Sequence, residues 1–160
     1  MKARRIDVPD AGAAGDLPPH DYASAFELPI PSASSRSPQA EPRSPQEWAR
    51  AVFEDAPRPV RLVVRAGWRF PLLFDAAEPG PGQVLGARIA STGPTWLILE
   101  QRSPLMLAYN LVSVEPARIV WVTVVRYRRR IARPLWAISA VVHHRVLPYL
   151  LTRAARAPQR

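Results

Sequence analysis

Residues 117–156 read ARIVWVTVVRYRRRIARPLWAISAVVHHRVLPYLLTRAAR, and this stretch decides the fold. Its first part alternates. Over Ala117–Arg128, Val120, Val122 and Val124 fall on one face of a strand, with Ile119, Trp121, Thr123 and Val125 on the other. Both faces are largely apolar, so the strand belongs in the middle of a sheet, covered on at least one side. The period then changes. From Pro134 to Arg156, Leu135, Ile138, Val142, Val146, Tyr149 and Leu150 recur at helical spacing and form one stripe, which Trp136, Ala140, Leu147 and Leu151 widen. That stripe predicts a long helix laid against the sheet. Pro148 falls inside the helix, frees the carbonyl of His144 and predicts a bend, either static or a hinge.

Upstream lie three β-rich runs, Val84–Ser91, Thr95–Arg102 and Leu105–Val114, broken at Thr92-Gly93-Pro94, Ser103-Pro104 and Glu115-Pro116. Turns about ten residues apart predict an antiparallel meander. Asp75–Gln83 is a turn segment. In Pro57–Phe74, Val60, Val63, Val64, Gly67 and Trp68 fit a helix, and Arg58, Arg61, Arg65 and Arg69 give it a polar stripe. Leu62-Val63-Val64 alone would suit a strand; a helix is expected. Ser44-Pro45-Gln46-Glu47 is a capping box with Pro at the first helical position, and opens a helix reaching about Asp55. Tyr22–Ile30 alternates and ends among prolines, which predicts a first strand at a sheet edge.

The expected architecture is α+β: a curved antiparallel sheet of five strands around a long C-terminal helix, with two short helices after the first strand. Residues 21–156 make one domain. Residues 1–20 are rich in Pro, Gly, Ala and Asp and are expected to be a disordered tail, as are 157–160. Pro31–Arg43 is a Ser/Pro-rich loop in which Arg36-Ser37-Pro38-Gln39 anticipates Arg43-Ser44-Pro45-Gln46.

The formal net charge of +9 is unevenly placed. Residues 116–160 hold 10 basic residues and no acidic one, whereas 1–115 hold 12 basic and 13 acidic. This points to an anionic partner or a solvated basic face. Only Lys2 is a lysine, and so strong a preference for Arg also matches the codon bias of a GC-rich genome. The absence of Cys excludes disulfide scaffolds, thiolate zinc sites and thiol nucleophiles. There is no phosphate loop and no nucleophile elbow. His143 and His144 are adjacent on a helix, so their side chains diverge by about 100° and cannot share a metal. Neither a metal nor a cofactor is expected. Ile131–Leu151 is apolar enough to suggest a membrane span, but Arg145 near its centre costs roughly 2.5–3.5 kcal/mol on insertion. The start of the chain is not a secretory signal. A soluble cytoplasmic protein is expected, and an interfacial helix stays open.

Asp21-Tyr22 opening the first strand, Ser44-Pro45-Gln46-Glu47-Trp48 opening the first helix, and the block from Pro59-Val60-Arg61 to Trp68-Arg69 come in a suggestive order. Val84-Leu85-Gly86, Leu99-Glu100-Gln101-Arg102-Ser103, Thr123, His144-Arg145 and Pro148-Tyr149-Leu150-Leu151 continue it. In that order, over about residues 21–156, the chain resembles the START-like superfamily, also called SRPBCC or polyketide-cyclase-like, and within it a domain-of-unknown-function family. The resemblance implies a helix-grip fold with a pocket between the concave sheet and the last helix. Members bind lipids, sterols, polyketides, plant hormones or other apolar molecules, and a few are cyclases or hydrolases.

On that reading the pocket is expected to be lined by Trp96, Ile98, Glu100, Leu107, Tyr109, Trp121, Thr123, Ile138, Val142 and His144. Glu100 shares a strand face with Trp96, Ile98 and Arg102. It is either a pocket carboxylate with a raised pKa or a strand-end Glu paired with Arg102 or Arg88. His144 either points to the pocket or makes an internal hydrogen bond. Arg126, Arg128, Arg129, Arg130 and Arg133 precede the long helix, whose N-terminal amides would also attract an anion, and Arg128, Arg129, Arg130 and Arg133 are the candidate anion site. The expected partner is a small apolar molecule or lipid, without sequence-specific nucleic acid and with weak contact to acidic membrane surfaces. The rivals are a cyclase- or hydrolase-like enzyme using Glu100 or His144 as base, and a peripheral membrane or polyanion binder acting through the basic C-terminal region.

Overall fold

The computed structural model describes residues 1–9, 18–31, 43–78 and 80–157. Seven strands form one antiparallel sheet in the order β1-β2-β7-β6-β5-β4-β3. The strands are β1 (Arg4–Ile6), β2 (Tyr22–Pro29), β3 (Gln83–Val84), β4 (Ala87–Thr92), β5 (Trp96–Arg102), β6 (Met106–Val114) and β7 (Arg118–Tyr127). The helices are α1 (Pro45–Phe53), α2 (Arg58–Arg69) and α3 (Ala132–Arg156). The fold is α+β, an open curved sheet carrying a long C-terminal helix, as the periodicity predicts.

Of the helical stripe expected against the sheet, Ile138, Val142 and Tyr149 are instead exposed, and Trp136, Ala140, Leu147 and Leu151 make the packed side with Leu150. Two further features differ from expectation. The segment read as a tail supplies β1, which pairs with β2 through Arg4↔Glu27, Arg5↔Phe26 and Ile6↔Ala25. β2 is therefore interior rather than an edge, flanked by β1 and β7. Three residues with two arginines carry no strand pattern of their own. Their partner supplies it: Glu27 is buried and accepts from Arg4 Nε at 2.6 Å and from Arg118 Nη1 at 3.2 Å. Ala3 is buried as well, and its N–H donates to Thr152 Oγ1 of α3 at 2.9 Å. The run read as Val84–Ser91 is two strands, β3 and β4, folded at Leu85-Gly86. Both turn residues have positive φ, 50° and 95°, the arrangement of a two-residue hairpin turn. Residues 10–17, 158–160 and the duplicated Arg36-Ser37-Pro38-Gln39 lie outside the described residues.

The predicted capping box forms. Ser44 Oγ accepts from Glu47 N at 3.2 Å, and Ser44 N donates to Glu47 Oε2 at 2.6 Å. Arg43, one residue earlier, reaches the far end of α3 and donates to the carbonyls of Ala154 (2.7 Å) and Ala157 (3.0 Å). Those carbonyls belong to the helix end, where the last acceptors lack intrahelical partners.

Alternation sorts the sheet into two faces. Phe26 and Leu28 of β2, Leu97 and Leu99 of β5, Val112 of β6, and Ile119 and Trp121 of β7 pack on α1 and α3. Met106, Ala108 and Val125 join Trp136 and Ala140 of α3 on the same side. Ala25, Leu111, Val120, Val122 and Val124 form a second cluster on the opposite face, with Trp96, Ile98 and Tyr109 against it. Thus β7 is apolar on both faces because both carry a cluster.

Candidate functional site

Between the inner face and α3 lies a cavity of about 290 Å³, near the lower end of small-molecule pockets. Its floor is Gln101, Ala108, Asn110 and Thr123, from three neighbouring strands. Its roof is Trp136, Ser139, His143, Leu147 and Leu150 of α3. One wall is α2, through Val63, Val64, Gly67 and Trp68. The mouth opens between α2 and α3. There Val63, Ile138 and Val142 line the cavity and are also 57%, 69% and 50% exposed.

Among the described residues, no charged side chain lines this cavity. The floor is polar but ordered. Asn110 Oδ1 accepts from Trp121 Nε1 at 3.1 Å and from Thr123 Oγ1 at 2.7 Å. An indole N–H only donates, so the carboxamide oxygen must face it and the Asn110 amide donors are turned elsewhere. At the roof, burial and then the neighbouring His144 push the His143 imidazole down to about 4, so it is neutral at physiological pH. Its ring lies against those of Phe26, Trp136 and His144, with centroids 6.1, 5.8 and 5.8 Å away. Three enclosed polar atoms have no hydrogen-bond partner among the described residues: Ser24 Oγ, Trp136 Nε1 and His143 Nε2. Ser24 shares the inner face of β2 with Phe26, while Trp136 and His143 line the cavity.

Of the residues expected at the pocket, Thr123, Ile138 and Val142 line it. Trp121 lies just behind, holding Asn110 and packing edge-on to Phe53 at 5.3 Å. The others are displaced by one residue of strand parity. Trp96, Ile98 and Tyr109 pack on the opposite face of the sheet. Leu107 shares the strand face of Tyr109, and Glu100 that of Ile98. Leu99, Gln101, Ala108 and Asn110 take the inward positions instead. Glu100 accepts from Arg102 Nε at 2.6 Å and Nη2 at 3.2 Å. Burial raises its pKa, but hydrogen bonds from Arg102 and Tyr109 and the charges of Arg102 and Arg88 outweigh this and hold it below the usual value. It is the paired strand-end glutamate, not a protonated pocket acid.

His144 is likewise turned aside. Tyr22 Oη lies 2.5 Å from His144 Nε2, and burial, then Arg5, lowers the imidazole's pKa. The phenol and the ring share one hydrogen bond, whose direction follows the imidazole tautomer. His143, its neighbour, takes the pocket position. Neither Glu100 nor His144, each a candidate base, lines the cavity. Arg128, Arg129, Arg130 and Arg133 surround a shallow exposed recess with Asp21 and Tyr127, away from the cavity. Arg133 lies over the Tyr127 ring at 5.9 Å.

Among the described residues no helix is long and apolar enough to cross a membrane. No family model matches the chain, and no curated protein or solved structure is significantly similar to it.

Proposed function

We propose that this chain is a START-like protein that binds one small, neutral, largely apolar molecule between its sheet and α3. The fold that supports this reading is the open curved antiparallel sheet, the long C-terminal helix and the two short helices after β2. The observation that carries it is the cavity roof. Trp136 and His143 line a cavity with no charged residue among its described lining, and each has a buried ring nitrogen with no hydrogen-bond partner among the described residues. An unpaired buried polar atom costs about 1–3 kcal/mol, which a hydrogen-bonding occupant reached by a small turn of either ring would recover. A carbonyl or ether oxygen would satisfy the indole N–H. A hydroxyl would satisfy either nitrogen form of His143. An ionised carboxylate or an amine would enter without a counter-charge, at a desolvation cost no lining residue offsets.

Nondenaturing mass spectrometry of freshly purified protein tests the reading. The expected result is a one-to-one adduct released by organic solvent, neutral and bearing oxygen. Protein that stays empty after exposure to a lipid and metabolite extract sinks it.

A further inference from the structure

The exposed apolar side chains are not scattered. Among the described residues, every exposed large hydrophobic except Met1 lies on α2, on the loop after it, or beside and along α3. Leu62, Val63, Phe70 and Leu73 are on the α2 side. Ile131, Ile138, Val141, Val142 and Tyr149 are on the α3 side. Of these, Ile131, Ile138, Val142 and Tyr149 follow steps of seven, four and seven residues, one continuous helical stripe. The opposite side of α3 is the buried one, with Trp136, Ala140, Leu147, Leu150, Leu151 and Ala154. α3 is thus apolar on two sides, and only one faces the sheet. α2 has no buried residue.

The same two elements carry the basic excess. α2 holds Arg58, Arg61, Arg65 and Arg69, and α3 holds Arg133, Arg145, Arg153 and Arg156; neither helix contains Asp or Glu. None of the ion pairs among the described residues uses these arginines. The two apolar sets meet at the cavity mouth through Val63, Ile138 and Val142.

We infer that the α2–α3 surface docks on an anionic lipid bilayer, with the exposed apolar side chains entering the interface and the arginines meeting headgroup phosphates. Charge complementarity selects this occupant. A second copy of the chain would press two strongly basic surfaces together. A nucleic acid would pair with the arginines but offers nothing to the exposed Ile138, Val141 and Phe70. Interfacial helices combine these features, an apolar face flanked by basic residues. The inference does not depend on what fills the cavity.

Vesicle flotation tests it, using the full chain with phosphatidylcholine vesicles and with vesicles that also contain phosphatidylglycerol. Binding is expected only to the anionic vesicles and should weaken in high salt. R65E and R145E should each weaken it by roughly fivefold or more, given the attraction of one arginine near an anionic surface. F70S and V141S, at exposed residues outside the cavity lining, should weaken it at unchanged charge. Thermal melts of all four variants, together with adduct formation in the absence of vesicles, separate loss of docking from loss of the fold or of the cavity ligand. Failure to float with anionic vesicles overturns the inference, as does binding untouched by F70S and V141S. Dimerisation abolished by V141S, or binding to duplex DNA as tight as to anionic vesicles, overturns it in favour of those partners.

Discussion

Thr123 donates its hydroxyl to Asn110 Oδ1 at 2.7 Å, across two of the three strands that form the cavity floor. The same oxygen also takes the Trp121 indole N–H. One carboxamide thus fixes a core tryptophan and a floor threonine. Asn110→Leu leaves two buried donors without an acceptor. A loss of about 2–6 kcal/mol is expected, since each such donor costs about 1–3 kcal/mol. Thr123→Val removes only one donor and should cost about 1 kcal/mol. Urea denaturation of both variants checks the order. Equal losses would mean that the Trp121 bond contributes nothing.

His143 makes stability depend on pH. Its folded pKa, about 4, lies below the 6.5 of an unperturbed histidine. Between those values the unfolded chain binds more protons, so stability is complete above about 6.5 and falls as pH drops toward 4. The loss attributable to this group is at most about 3 kcal/mol. His144 shifts in the same direction and adds to the slope. His143→Phe keeps an aromatic ring in place and should flatten, without abolishing, the decline in melting temperature from pH 6.5 to 4.5. Superimposable pH profiles would reject the assignment.

Arg43 clamps the end of α3 to the start of α1. It donates to two terminal carbonyls and lies 5.0 Å from the Trp48 ring. Arg43→Ala should destabilise by about 1–3 kcal/mol, the range for hydrogen bonds made by a charged donor. It should also raise amide exchange in the last turn of α3 before other helical amides. Hydrogen exchange resolved along the helix reads this out, and uniform acceleration would mean that the clamp is not local.

The two apolar sides of α3 should respond oppositely to mutation. Trp136 is 5% exposed and packs edge-on to Tyr22 at 5.4 Å, so Trp136→Ala should cost about 3–5 kcal/mol. Ile138 is 69% exposed, and Ile138→Ser should change stability by less than about 0.5 kcal/mol. Thermal melts decide it; comparable losses would show that the outer stripe is covered in solution.

Much of this architecture is legible in the sequence because its signals are local. The Ser44–Glu47 capping box, the change of period after Arg128 and the proline breaks between strands each depend on a few consecutive residues. The faces are harder. A strand such as Trp96–Arg102 has apolar residues at both parities, and nothing within it says which parity faces the helix. The register with β6 decides, and it turns Leu99 and Gln101 inward and Glu100 out to Arg102. The helix shows the same ambiguity. Ile138 and Val142 fit the apolar stripe as well as Leu147 and Leu150 do, and only docking reveals that the first pair rims the mouth. β1 is invisible for another reason: its partner residue, Glu27, is 23 positions away from Arg4.

Gly67 offers the most direct test of the cavity. It lies on α2 and lines the cavity, and a β-carbon built there meets nothing within 4 Å. Gly67→Ala should therefore stabilise α2 by about 0.5–1 kcal/mol. Gly67→Phe should place a ring in the mouth without displacing core atoms. Titration of both variants and the parent chain with a neutral solvatochromic dye, alongside circular dichroism, is the decisive measurement. Saturable one-to-one binding by the parent and Gly67→Ala chains is predicted, with at least tenfold weaker binding by Gly67→Phe at unchanged helicity. Absence of saturable binding to the parent, or undiminished binding to Gly67→Phe, would contradict a ligand cavity between the sheet and α3.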